Sequence, residues 1–207
     1  MCTSAQQNDP LDCRAQLVLR SPITSVDPSD NYWGINASFG YGDGEGAINL
    51  NTTAGVVDSG DTFLALATGK LPCDSGSYPT CGLSQSSTID PYNLYVKATG
   101  AVLDDATGLL RITQEQYNNL KSLFFEIGGT RFEFIPNAQI WPRALNTNIG
   151  GQEDSIYLAI IDIGTNRDGI LDFMMGLPVL ERLYTVFDSG NSRVGFATTR
   201  NTNAIIN

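Results

Sequence analysis

The fold is decided by the stretch Ala54-Gly-Val-Val-Asp58-Ser59-Gly60, in which a short apolar run leads straight into a carboxylate. The apolar residues predict a buried strand, and Gly60 permits a tight turn directly after it. Such a carboxylate is held by a buried strand and offered to solvent. The triplet recurs as Asp74-Ser-Gly76 and Asp188-Ser-Gly190. Because Asp-Ser-Gly is common in turns, the triplet alone does not identify a catalytic group.

On both sides of this stretch, glycines divide the chain into short strand-like segments. The predicted strands are Ala15–Leu19, Tyr32–Phe39, Gly55–Val57, Phe124–Ile127, Phe132–Ile135, Ser155–Ile161 and Arg193–Thr198. One hairpin is predicted around Gly128-Gly129, and a second joins Tyr184–Asp188 to Arg193–Ala197. The sequence therefore predicts a mainly β protein.

Three short helices complete the prediction. Asp90-Pro91 is an N-cap followed by a proline at the first helical position, and Gly100 ends that helix. Thr113 and Gln116 form a capping box that opens a helix over Gln114–Ser122. A third helix begins at Pro178 and runs through Arg182.

Composition excludes several function classes. The chain has 207 residues, 42% of them hydrophobic, which is enough for one sizeable core. Its 22 acidic and 12 basic residues give a formal charge of −10, which would repel nucleic acids and anionic membranes. The chain has no histidine, the usual general base of serine and cysteine hydrolases and the commonest zinc ligand. Acid–base chemistry must therefore fall to carboxylates.

Cysteines and sequons indicate a secretory route. The spacing of Cys2, Cys13, Cys73 and Cys81 favours two local disulfides, Cys2–Cys13 and Cys73–Cys81, rather than a metal or redox site. Asn36-Ala-Ser38 and Asn51-Thr-Thr53 are N-glycosylation sequons. We therefore expect an extracellular protein without a membrane span. Polar residues follow Met1, so we expect an expression start on a mature fragment rather than a signal peptide.

Other motifs are read as structural. Asp162–Gly169 lacks the ligand pattern of a calcium loop and is predicted to be a hairpin tip without metal. Gly42–Gly46 lacks the lysine of a phosphate loop and is predicted to be a turn. Trp33 and Trp141 are predicted to pack in the core.

The longer context of Asp58 resembles the pepsin-like aspartic proteases, in particular the polyporopepsin type of basidiomycete fungi. The resemblance covers about residues 22 to 199. The segments that carry it are Tyr32–Asn36, Ala54–Thr62, Ala98–Thr113, Tyr117–Gly129, Asn137–Gly151, Met174–Gly176 and Tyr184–Thr199. It implies one β-barrel-like lobe with a few short helices, formed by residues 22–207 after an N-terminal segment, 1–21.

The resemblance also implies roles for individual residues. Asp58 matches the catalytic aspartate of the family's second lobe, and Ser59, Gly60 and Thr62 belong to its supporting loop. Gly176 matches the glycine that braces this loop. The implied chemistry is hydrolysis of polypeptides by two carboxylates that share a proton, without metal or cofactor.

The sequence departs from the family pattern in two ways. It contains one catalytic triplet in family context, and residues 1–22 are too few for a first lobe. Asp61 stands where the family usually has a serine or threonine that donates a hydrogen bond to the catalytic carboxylate, and an ionised Asp61 can only accept. Two carboxylates so close on one loop are expected to raise the pKa of at least one of them.

These departures leave three hypotheses. The chain is half of an aspartic endopeptidase that needs a second lobe or self-pairing as a homodimer. Alternatively, it is a non-catalytic pseudoprotease lobe that binds a peptide, a small apolar ligand or a protein partner. The third possibility is a fragment whose first lobe was left out.

Overall fold

The computed structural model describes residues 19–26, 29–43, 48–68, 90–164 and 171–207. Strands are the main regular element among these residues, and they are joined by short helices, 3₁₀ turns and loops. The strands are β1 (Leu19–Pro22), β2 (Gly34–Tyr41), β3 (Ile48–Val57), β4 (Leu64–Leu66), β5 (Val102–Leu103), β6 (Leu110–Ile112), β7 (Leu123–Ile127), β8 (Thr130–Phe134), β9 (Ile156–Tyr157), β10 (Ile160–Asp162), β11 (Phe173–Met175), β12 (Leu183–Asp188) and β13 (Arg193–Thr198). The prediction of a mainly β protein is confirmed.

The strands form three sheets within the described ranges. The largest has seven strands in the order β10-β4-β11-β3-β2-β7-β8, and two smaller sheets have the orders β1-β13-β12 and β5-β6-β9. Strand β11 lies between β3 and β4, parallel to β3 and antiparallel to β4. The chain between β3 and β4 must therefore cross the end of β11.

The helices agree with their predicted signals at the N-termini. Helix α1 spans Pro91–Thr99, with the Asp90 side chain accepting from the Asn93 N–H and Gly100 left-handed at φ 66°. Helix α2 spans Gln114–Asn118 and has the predicted capping box. It ends before Ser122 because the chain turns into β7 at Leu123. Helix α3 spans Leu177–Leu180, shorter than predicted. 3₁₀ turns occupy Ser29–Asn31, Pro136–Gln139, Arg143–Ile149 and Ser189–Asn191.

Both predicted hairpins are present. Strands β7 and β8 pair antiparallel around Gly128 and Gly129, whose φ values of 53° and 79° require glycine in practice. Strands β12 and β13 pair in register from Leu183↔Thr198 to Asp188↔Arg193.

One predicted strand is wrong as a single element. The run Ser155–Ile161 divides into β9 and β10, which belong to different sheets. Between them, Leu158 forms a bridge with Ile140, and the Ala159 N–H donates to Gln139 O. Hydrophobic alternation cannot show this change of partner, because both halves are buried.

The Asp162–Gly169 segment is not a hairpin tip. It connects β10 to β11, and these strands lie on opposite sides of β4 rather than next to each other. Residues 165–169 of this segment, residues 44–46 of the predicted Gly42–Gly46 turn, and residues 15–18 of the first predicted strand lie outside the described residues.

Aromatic side chains of several strands pack against one another in the core of the large sheet. Phe39 packs edge-on against Phe125 and Phe173, with ring centroids 5.1 and 4.8 Å apart. Trp33 is half-buried against this core, as predicted, and contacts Phe187. Trp141 is also half-buried but packs on Phe63. The helices of the described ranges are all too short to cross a membrane.

Candidate active site

The loop that carries Asp58 begins where β3 ends. The Val57 N–H donates to Trp33 O, and the Asp58 N–H donates to Met175 O at 3.0 Å. The first of these bonds reaches the segment before β2, and the second reaches the end of β11. Asp58 is therefore held between two strands that are distant in sequence.

A close approach of two backbones sets this arrangement. A Cβ on Gly55 would collide with the carbonyl group and the ring of Phe173 in β11. Gly55 thus allows β3 and β11 to pair as parallel neighbours three residues before Asp58. Glycine is required here for space and not for a positive φ.

The Asp58 carboxylate closes the turn of its own triplet. Its Oδ1 accepts the Gly60 N–H at 2.8 Å. Within the described part of the chain, no group donates to its Oδ2, and no lysine or arginine forms an ion pair with it. Asp58 is half-buried, whereas Ser59, Gly60 and Thr62 are exposed. One carboxylate oxygen is thus committed to the loop, and the other is free to meet a ligand.

Asp61 uses its carboxylate on the backbone beyond the loop. Its Oδ1 accepts the Phe63 N–H at 3.0 Å, and its carbonyl oxygen accepts the Leu177 N–H at 2.9 Å. The Asp61 N–H donates to Asp58 O at 3.3 Å. As expected of a carboxylate, the side chain accepts a hydrogen bond, and its partner is Phe63 rather than Asp58.

Gly176 lies directly behind the loop. A Cβ at this position would approach the Asp61 carbonyl oxygen to 2.5 Å and the Phe63 carbonyl oxygen more closely still. The backbone of residues 61–63 therefore packs on the Gly176 backbone. This contact is the one expected of a bracing glycine, and its catalytic relevance stays a prediction.

The triplet at Asp188 has different surroundings. Its carboxylate accepts from the Asn191 side chain at 2.9 Å and from Arg193 Nε at 2.6 Å. These hydrogen bonds, first from Asn191 and then from Arg193, lower the pKa of the Asp188 carboxyl below its ordinary value. The Asp188 carboxylate is therefore bonded to two side chains of its own hairpin. The third triplet, Asp74-Ser-Gly76, lies outside the described residues.

The remaining predicted site residues are the four cysteines and the two sequon asparagines. Cys2, Cys13, Cys73 and Cys81 lie outside the described residues, so both disulfides stay predictions. Asn36 is exposed on β2, and its Oδ1 accepts from Thr24 Oγ1 at 2.9 Å. Asn51 lies in β3. The described ranges hold no cluster of three His, Cys, Asp or Glu side chains that could bind a metal ion.

Sequence reasoning missed the backbone groups that hold the loop in place. Met175 O and the Leu177 N–H flank Gly176, and both bond to the Asp58–Asp61 segment. Backbone groups leave no signature of residue type, and Gly176 was the one available signal. The Phe63–Trp141 ring contact beside the loop, with centroids 5.7 Å apart, was also missed.

Comparison with known proteins gives this geometry a family. The eukaryotic aspartyl protease family model matches residues 18–199. Polyporopepsin from Irpex lacteus is 46% identical over 187 residues, which make up 90% of this chain and 48% of that protein. Gastricsin from Homo sapiens is 32% identical over 103 residues, 50% of this chain and 24% of that protein.

A solved structure shows the same likeness in three dimensions. The crystal structure of aspartic proteinase from Irpex lacteus matches with a TM-score of 0.76 and 46% identity, over 91% of this chain and 48% of that one. The chain thus spans about half the length of polyporopepsin. The fold is pepsin-like, and the chain belongs to the eukaryotic aspartyl protease family.

Proposed function

We propose that this chain is one lobe of an acid-pH endopeptidase, and that Asp58 is one of the two carboxylates that hydrolyse the peptide bond. The observation that carries the proposal is the loop geometry. Strand β3 presents Asp58 beside the end of β11, with Oδ1 held by the Gly60 N–H and Oδ2 free of described partners. Family membership supplies the reaction class.

The chemistry takes two carboxylates. Close like charges cannot both ionise easily, so the pair shares one proton in mildly acidic solution. The ionised member takes a proton from a bound water as that water attacks the peptide carbonyl, and the protonated member stabilises the developing oxyanion. Because Oδ1 of Asp58 is held in the loop, its Oδ2 is the oxygen that serves the water. The substrate is a polypeptide.

The second carboxylate comes from a second lobe of the same fold or from a second copy of this chain. The match to about half of polyporopepsin supports this arrangement. So do exposed aromatic side chains on β12, where Tyr184 is 58% and Phe187 38% exposed. Strand β12 lies at an edge of its sheet within the described ranges. Exposed apolar groups on an edge strand commonly mark an interface.

A secreted protein fits these features. The Asn36 sequon lies on an exposed position of β2, where a glycan could be attached without displacing the core. The four cysteines favour an oxidising compartment. Secretion would place the chain where an acidic fungal protease meets protein substrates.

The test is proteolysis of denatured globin at acidic pH, with and without a transition-state-like aspartic protease inhibitor. The native chain is compared with Asp58→Asn and with the matched control Asp188→Asn, and sedimentation reports the oligomeric state. Inhibitor-sensitive activity should fall by about 10²- to 10⁴-fold in Asp58→Asn, the usual contribution of an acid–base group, and persist in Asp188→Asn.

If the native chain alone does not cleave globin, the assay is repeated with the amino-terminal half of polyporopepsin added as a separate chain. Activity that appears only in the mixture identifies a second lobe as the partner. If a folded chain stays silent in both arms, the protease assignment is overturned, and a non-catalytic binding lobe replaces it.

A further inference from the structure

We propose that Asp61 is a positioning residue, whose carboxylate fixes the conformation of the Asp58 loop by accepting the Phe63 N–H. For its effect on catalysis the inference rests on the proposed function, but its structural part concerns this chain alone. It assigns Asp61 the role of a hydrogen-bond acceptor for the backbone, in place of a donor to Asp58.

The first step is the pair of consecutive turns in the loop. Asp58 Oδ1 accepts the N–H of Gly60, and Asp61 Oδ1 accepts the N–H of Phe63. In each case an aspartate bonds the backbone two residues ahead, the pattern of an Asx turn. The first turn sets the position of Asp58, and the second ends the loop where β4 begins at Leu64.

The second step concerns the Phe63 amide. Its bond to Asp61 is partly buried, and the next amide, that of Leu64, already donates to Ala159 O. A backbone N–H left without an acceptor in such a place is costly, and a charged acceptor makes a stronger bond than a neutral one. The Asp61 carboxylate therefore stabilises the point at which the loop joins the sheet.

The third step connects the loop to α3. The Asp61 carbonyl oxygen accepts the Leu177 N–H, and the loop backbone packs on Gly176. Asp61 is thus held through both its side chain and its backbone, between β4 on one side and α3 on the other. A change at its side chain would remove one of these two attachments and loosen the carboxyl end of the loop, while Met175 O still held the amino end at Asp58.

The acceptor role makes different predictions for two substitutions. Asp61→Asn keeps an oxygen that can accept the Phe63 N–H, whereas Asp61→Ala removes it. If the role depended on charge alone, both variants would expose the Phe63 amide to exchange equally, because both lack the charge. Asp162→Ala is the matched control, because Asp162 Oδ1 accepts the Gly164 N–H in the same kind of turn, at an exposed position outside this loop.

The structural test is amide hydrogen exchange measured on the chain by itself. In Asp61→Ala the Phe63 amide should exchange roughly 10- to 100-fold faster than in the native chain, as expected for loss of a hydrogen bond to a charged group. Asp61→Asn should fall in between, and Asp162→Ala should leave Phe63 unchanged. Native protection of Phe63 in Asp61→Ala, or equal exchange in both Asp61 variants, would overturn the inference.

The catalytic test uses whichever assembly is active. Asp61→Ala should lower kcat with little change in KM, since Asp58 is misplaced while substrate contacts elsewhere remain, and Asp61→Asn should restore most of kcat. An unchanged kcat in Asp61→Ala, despite faster Phe63 exchange, would contradict the positioning role. If no assembly is active, the proposed function fails, and the exchange result still decides whether Asp61 holds the loop.

Discussion

Asp58 and Asp188 each begin an Asp-Ser-Gly triplet, the first directly after β3 and the second at the end of β12. The Asp188 carboxylate is occupied by Asn191 and Arg193, which lie in its own hairpin. The Asp58 carboxylate has one described partner, the Gly60 N–H, and its loop is held by strands and a helix far away in sequence. The first triplet is built from long-range contacts, and the second from local ones.

In both places the aspartate side chain accepts hydrogen bonds from groups a few residues ahead, so the triplet by itself only makes a turn. A short polar side chain bonds the backbone or a nearby side chain, and a glycine follows. What distinguishes Asp58 is that its backbone N–H donates to Met175 O in the sheet, and that no cation among the described residues pairs with its carboxylate. A carboxylate without a cation partner keeps an oxygen available for a ligand, whereas an ion-paired one is committed to structure.

The largest effect is expected at Gly176, which packs behind the first triplet; none of the described glycines packs in this way behind the second. Gly176→Ala would drive a methyl group into the carbonyl oxygens of Asp61 and Phe63, which belong to backbone and cannot swing away. We expect a loss of about 3 kcal/mol in the free energy of unfolding, the upper part of the range for overpacked positions. Urea unfolding measures this loss. A Gly176→Ala variant as stable as the native chain would show that the loop does not pack tightly on Gly176.

A smaller effect should separate the glycines of the two triplets. A Cβ on Gly60 would lie 3.2 Å from Asp58 Oδ1, whereas one on Gly190 would lie 3.8 Å from Asp188 Oδ1. Gly60→Ala should therefore shift the carboxylate and cost about 1 kcal/mol. Gly190→Ala should stay within about 0.5 kcal/mol of the native chain. Thermal unfolding of the two variants measures both changes in stability. Equal losses would show that the two glycines are packed equally closely against their aspartates.

The smallest effect concerns the pH dependence of stability at Asp188. Because the pKa of Asp188 is lowered in the folded chain, its ionised form stabilises the fold above the unfolded pKa, about 3.9. That contribution is lost as pH falls through the lower folded value. Asp188→Asn should therefore be slightly less stable than the native chain at pH 7, with the difference vanishing in stronger acid. Melting temperatures from pH 7 to pH 2 test it, and a constant difference would contradict the assignment.

Most of the candidate site could be predicted because it is contiguous. Asp58 to Thr62 follow one another, and the strand before them and the glycine among them are legible locally. The direction of the Asp61 side chain could not be predicted. A carboxylate three residues from Asp58 could face it or turn away, and the choice depends on the Phe63 amide just before β4, which donates to Asp61 Oδ1.

Helix caps and hairpins were also predictable, and strand partners were not. Asp90, Thr113 and Gly128-Gly129 act through neighbours a few residues away, and each has the predicted geometry. The run after Ser155 reads as one strand, yet its halves join different sheets. Which sheet a strand joins depends on which distant strands compete for its backbone hydrogen-bonding groups. The local sequence pattern does not contain that information.

The sequence by itself determined the β-rich class, the two hairpins, the helix N-termini and the loop that carries Asp58. These features arise from backbone preferences and hydrogen bonds that span a few residues. Only the tertiary structure decided that β11 enters between β3 and β4 and brings Gly176 behind the loop. That choice required the close approach of Gly55 to Phe173 and the burial of three strands together, which are contacts between residues more than 100 positions apart.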